Sequence, residues 1–151
     1  MGAFARARLV FWAIVAGVLL LLALAVALPT QGRDGFGWLV PLVAGYGAIA
    51  AAVVAWIRRT PLRAIDGPDL ARRYVARLML GAAVAETPVA LGFAGTLVAG
   101  DPWPGVLGAG WGILALSLVA PTNADLDRRQ AELLSSGSPL SIRDALEAGG
   151  G

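Results

Sequence analysis

Four apolar runs, at 9–28, 35–57, 78–100 and 102–120, contain no arginine, lysine or histidine. Each is close to the roughly 20 residues that a helix needs to cross about 30 Å of hydrocarbon. Hydrocarbon offers no water to backbone N–H and C=O groups, so a spanning segment has to pair them internally, as a helix does. An apolar fraction of 58% in 151 residues exceeds what a soluble core needs, and the excess is collected in these runs. The reading is therefore all-α: an integral membrane four-helix bundle over residues 1–121, followed by a polar tail over 122–151 with short helices.

The arginines give this bundle a direction. Arg6 and Arg8 precede the first run, six arginines lie between the second and third, and Arg128, Arg129 and Arg143 follow the fourth; only Arg33 falls on the other side. Basic residues in short loops stay preferentially in the cytoplasm. Both termini are therefore expected there, in a multi-pass protein of the cell membrane with short outer turns at 31–35 and 100–104. Arg58, Arg59, Arg72, Arg73 and Arg77 are expected at the lipid headgroups, and the bilayer is the expected partner. Positive charge that rims a membrane is not the folded basic face that nucleic acid requires. A cleaved signal peptide is the rival reading of the first run, on Arg6, Arg8 and Ala25-Val26-Ala27, but the apolar stretch is long and no polar segment precedes the cleavage-like site.

The chain has no cysteine, histidine or lysine. That removes disulfides, thiol nucleophiles, Cys/His zinc sites, Schiff bases and histidine triads. No catalytic residue, metal or cofactor is assigned, and a membrane enzyme ranks third among the readings, because a lone carboxyl without a second acid, base or metal ligand is a thin active site.

Against this background one side chain stands out. Glu86 lies inside the third run, and at about 1.5 Å per residue it is roughly 13 Å beyond Arg77 and roughly 22 Å short of Asp101. A charged carboxylate at such depth costs roughly 2.5 to 3.5 kcal/mol on insertion scales, so an ionisable group there is a functional hypothesis by default. Without a basic residue in any run, the expectation is a protonated carboxyl or one holding a cation. Pro88 cannot donate to the carbonyl of Val84 and is expected to bend the helix, leaving unpaired backbone beside Glu86. Thr87, Tyr46 and Ser117 are the available polar partners. The small neighbours Ala82, Ala83 and Ala90 place Glu86 on a face suited to another helix. The plainer alternative is a neutral Glu86 used as an interhelical hydrogen-bond donor.

Small residues mark the other packing faces. Gly45 and Gly47, followed by a small-residue stretch, are expected to admit a helix backbone, and Gly108 with Gly112 forms a Gly-xxx-Gly pair. The first run, rich in Leu and Val, reads as an anchor facing lipid. Asp66-Gly67-Pro68-Asp69 reads as a helix start, with Asp69 placed to pair with Arg73. In the tail, 124–134 reads as a helix capped by Thr122 or Asn123, and Ser141-Ile142-Arg143-Asp144 as the opening of another. The Ser136-Gly137-Ser138-Pro139 link and the terminal glycines suggest a loosely ordered tail.

The segment 42–100 carries Ala44-Gly45-Tyr46-Gly47-Ala48, then Arg59-Thr60-Pro61, then Leu80-Gly81-Ala82-Ala83-Val84-Ala85-Glu86 running on to Leu91-Gly92-Phe93. In these it resembles the proteolipid c subunit of rotary ATP synthases, a glycine-rich helix paired with a carboxyl-bearing helix through a cytoplasmic loop. The resemblance implies that Glu86 is an ion-binding carboxyl and that Gly81 and Gly92 belong to a packing face. Thr60 stands where that family has glutamine, Pro88 is unusual beside the carboxyl, and extra spans flank the hairpin. The functional expectation is a small membrane protein, oligomeric or part of a larger complex. In it Glu86, with Thr87 and Tyr46, binds a proton or cation for transport or energy coupling. The alternative expectation is an accessory or assembly subunit that transports nothing.

Overall fold

A computed structural model describes residues 3–28, 36–62 and 64–148. The predicted outer turn at 31–35 with Arg33, the loop residue Arg63 and the terminal glycines lie outside the described residues. The described chain is all helical: α1 (Ala3–Ala27), α2 (Leu39–Arg59), α3 (Gly67–Ala99), α4 (Trp103–Val119), α5 (Asn123–Ser135) and α6 (Ile142–Ala148). Three of these, α1, α2 and α3, are long and apolar enough to cross a membrane. At 17 residues α4 reaches that length only together with α5, from which it is bent by 50°.

The helix limits follow from local chemistry. Asp66 caps α3 by accepting a hydrogen bond from the Asp69 backbone N–H at 2.8 Å, and Pro68 fits the first turn, whose N–H groups have no intrahelical partner. At the far end Gly100 takes a left-handed conformation, φ 64°, which glycine adopts without steric penalty. Between these caps α3 runs for 33 residues, about 50 Å, well beyond the thickness of a hydrocarbon layer. Its first turns therefore project past the apolar stretch.

At the centre of the bundle α3 packs on α4, while α1 and α2 each touch both of these helices and not each other. The close approach of α3 and α4 is set by glycines. A Cβ on Gly92 would fall 2.3 Å from the Pro104 carbonyl oxygen, and one on Gly108 would fall 2.3 Å from that of Pro88. Gly112 faces Val89 in the same seam, and Gly81 faces Val119. Gly105 adds a buried hydrogen bond, its N–H donating to Thr96 Oγ1 at 2.9 Å. The pair Gly108 and Gly112 thus does what its spacing suggests.

On α2 only one of the two expected glycines packs. Gly47 receives the Trp111 side chain, whereas Gly45 has nothing within 4 Å. The correction has a simple cause: residues two apart on a helix differ by about 200° in direction, so both cannot face one neighbour. The first helix buries the single stripe Ala7, Phe11, Val18 and Ala25 and leaves most of its Leu and Val residues outward, as an anchor would.

The tail also differs from expectation. Leu126, Leu133, Ile142, Ala145 and Leu146 are buried against Leu70, Ala71, Tyr74 and Leu78 of α3, with Phe4 of α1 and Leu62 at the edge of the cluster. The projecting turns of α3 expose an apolar face, and α5 with α6 covers it. Gln130 fixes the link between the two, its Nε2 donating to the Leu140 carbonyl at 3.1 Å and its Oε1 accepting from the Ile142 N–H at 2.9 Å. The caps read from sequence hold, with Thr122 Oγ1 accepting from Asp125 N and Ser141 Oγ from Asp144 N. One end of the bundle therefore gathers the start of α1, the α2–α3 connection and the tail.

Gly92→Ala should lower thermal stability in detergent by about 1 to 3 kcal/mol, since backbone cannot yield as a flexible side chain does. Gly45→Ala should leave it unchanged. Equal unfolding midpoints for the two variants would contradict the backbone contact between α3 and α4.

Candidate functional site

Pro88 sits inside an unbroken α3. The carbonyl it deprives of a donor, that of Val84, accepts a hydrogen bond from Thr87 Oγ1 at 2.7 Å. The backbone that the sequence reading left unpaired beside Glu86 is thus satisfied locally, by the residue between the glutamate and the proline. Thr87 is committed to this bond. Ser117 likewise donates to Leu114 on its own helix, at 2.6 Å.

Glu86 itself is half-buried, and among the described residues it makes no hydrogen bond or ion pair. Tyr46 lies on the outer side of α2, 43% exposed, and no hydrogen bond joins it to Glu86. The predicted cluster of Glu86, Thr87 and Tyr46 therefore does not close within one chain. No group of three or more carboxylates that could hold a metal comes together among the described residues.

The surroundings of Glu86 explain its position. On α3 the exposed residues Leu80, Ala83, Thr87, Ala90, Ala94 and Leu97 recur at steps of three and four, the period of a helix-packing seam. Met79, Glu86 and Phe93, seven apart and half-buried, form one shoulder of that stripe. The opposite face, with Ala82, Ala85, Val89 and Gly92, is occupied by neighbouring helices. Distance along the helix put Glu86 deep in the apolar stretch, as read from sequence. Its direction around the helix is outward, which a depth count cannot show.

A second polar group lies at the gathered end. Arg77 donates to the Thr60 carbonyl and Arg129 to the Arg58 carbonyl, at 3.3 Å for the latter, so two guanidinium groups cap the C-terminal end of α2. Asp125 accepts from Arg129 Nε at 3.4 Å and lies 4.0 Å from Arg58 Nε. Tyr74 is buried beside them. These side chains line a cavity of about 30 Å³ together with Val54, Leu78 and Leu118.

The expected headgroup arginines therefore divide. Arg59 is exposed. Arg72 and Arg73 point outward while binding Asp69 at 3.1 and 2.7 Å, which includes the pair expected from spacing. Arg58 and Arg77 turn inward and hold helices together. Arg129, only 4% exposed, was legible in sequence merely as one more basic residue of the tail. The available signal was its spacing of four from Asp125, together with Tyr74 in the apolar series Leu70, Tyr74, Leu78, which would bury a hydroxyl.

No family model, curated protein or solved structure matches this chain.

Thr87→Val should destabilise the protein by about 1 kcal/mol, because the Val84 carbonyl then loses its donor in apolar surroundings. Thr87→Ser keeps the hydroxyl and should be close to neutral. If the two variants unfold alike in a denaturant titration, the hydroxyl is not the carbonyl's effective partner.

Proposed function

We propose that this chain is a four-span integral membrane subunit of the cell membrane, with both termini and its arginine-rich end in the cytoplasm. Its α3 face docks a helix of another membrane chain. It acts as an accessory or assembly subunit, and Glu86 is the hydrogen-bonding group of the contact. The observation that carries the reading is the half-buried carboxyl, without a partner among the described residues, on the shoulder of a stripe of small residues. Such stripes let backbones approach closely, and polar side chains in apolar surroundings favour association by about 1 kcal/mol per hydrogen bond. The short α4 completes the bundle as its fourth span, with the bend to α5 at the headgroup level.

Transport or energy coupling through a proton or cation on Glu86, as the c subunit resemblance implies, is the second reading. It is favoured by the same outward direction, because a carboxyl on an interface between copies can be completed by the neighbour. The two readings separate on chemistry. Ion work requires carbodiimide labelling of Glu86 that Na⁺ or high pH suppresses, and flux that is lost in Glu86→Gln.

The docking reading is tested in a background that has no natural cysteine. Single cysteines at Ala83 and Ala90, labelled with a photoactivatable maleimide crosslinker, should crosslink to a second membrane chain, or to a second copy, on irradiation in the native membrane. A cysteine at Gly17, on the lipid-facing side of α1, should not. Glu86→Gln, which keeps a donor and an acceptor, should leave the crosslinks almost unchanged, whereas Glu86→Leu should weaken association about fivefold or more. Crosslinking that ignores Glu86→Leu, or that is equal at Gly17, would overturn the assignment.

A further inference from the structure

Independently of Glu86, we infer that the cavity between α2, α3 and α5 binds one small monovalent anion of the size of chloride. Three buried polar atoms on its lining residues have no hydrogen-bond partner among the described residues: Arg58 Nε, Tyr74 Oη and Arg129 Nη1. Tyr74 and Arg129 are more than nine-tenths buried, at 3% and 4% exposure. Leaving such groups unpaired is costly, and a buried guanidinium N–H more so than a neutral donor.

The chemistry of the three atoms specifies what they lack. Guanidinium nitrogens only donate, and a phenol hydroxyl can donate, so what each of the three lacks is an acceptor. The lining also carries excess positive charge, with Arg58, Arg77 and Arg129 against Asp125, three minus one, or +2. A cation is disfavoured by that charge. Water is the competing occupant: it has to send its own hydrogens to Asp125, which already accepts from Arg128 and Arg129, both at 3.4 Å, whereas a halide accepts from every side. Glu132 lies 3.8 Å from Arg129 Nη1, beyond hydrogen-bond reach. The volume sets the size. About 30 Å³ is two to three times the roughly 10–15 Å³ that one water needs, so its inner space suits a single-atom anion.

Asp125 stands near the proposed anion and opposes it. The three arginines outweigh that repulsion, and the apolar walls formed by Val54, Leu78 and Leu118 strengthen every charge interaction inside. A bound anion would fasten α5 to the ends of α2 and α3, since each helix contributes a donor.

The experiment uses the full chain in lipid nanodiscs, exchanged between sodium gluconate and sodium chloride at constant ionic strength. The thermal unfolding midpoint should rise saturably with chloride or bromide, and crystals grown in bromide should show an anomalous peak between Tyr74 and Arg129. Tyr74→Phe removes one donor with little change of shape and should weaken the apparent halide affinity about five- to tenfold. Arg129→Gln should abolish the saturable response. If Arg129→Gln does not fold, the Tyr74→Phe titration and the bromide peak still decide. Equal midpoints in gluconate and chloride mean that water fills the cavity, and they overturn the inference. So do a bromide peak elsewhere, a halide response unchanged in Tyr74→Phe, and inorganic phosphate that stabilises as well as chloride.

Discussion

Backbone meets backbone where α3 crosses α4, and most of the architecture follows from that contact. Gly92 and Gly108 bring the two helices so close that a methyl group on either would strike a carbonyl oxygen of its neighbour. Apolar side chains gain little from leaving lipid for another apolar surface, so close packing has to supply the attraction that water supplies elsewhere. With this seam fixed, α1 and α2 fill its two flanks without touching each other. The remaining side of α3 stays open, and Glu86 stands on its edge.

Much of this was legible in the residues. Hydropathy alone places the apolar segments, because a lipid-crossing helix must be continuous and apolar, and the capping residues Asp66, Thr122 and Ser141 mark helix starts by their side-chain oxygens. The Gly108 and Gly112 pair announces its own packing. Direction around a helix is less visible. Gly45 and Gly47 look equivalent as letters, yet they point to nearly opposite sides, and only Gly47 meets a neighbour. The tail misleads for a related reason: its polar composition and Ser-Gly-Ser-Pro link suggest looseness, while a few apolar residues at helical spacing suffice to dock it. That need arises from the excess length of α3, which no local window of the tail contains.

The two polar groups of the protein contrast in how far they are resolved internally. At the gathered end, Arg77 and Arg129 complete the carbonyls at the close of α2, and Asp125 ties Arg129 to the junction. Around Glu86, by contrast, Thr87 serves the backbone and nothing among the described residues serves the carboxyl. The helix is made self-sufficient at its proline while its acid is left facing outward. A polar group that the fold leaves unanswered in apolar surroundings is a demand on whatever lies beside it, and that demand is the basis of the proposed role.

The unbroken run of α3 links these two regions as parts of one rod. Its cavity end is gripped by α5 and α6, and Glu86 lies about 13 Å further along from Arg77. A tilt of about 10° pivoting at Arg77 would carry the Glu86 face sideways by about 2 Å, roughly half the width of a side chain. The gripped end and the outward acid thus belong to one lever, and the way the tail seats on α3 sets where the glutamate points.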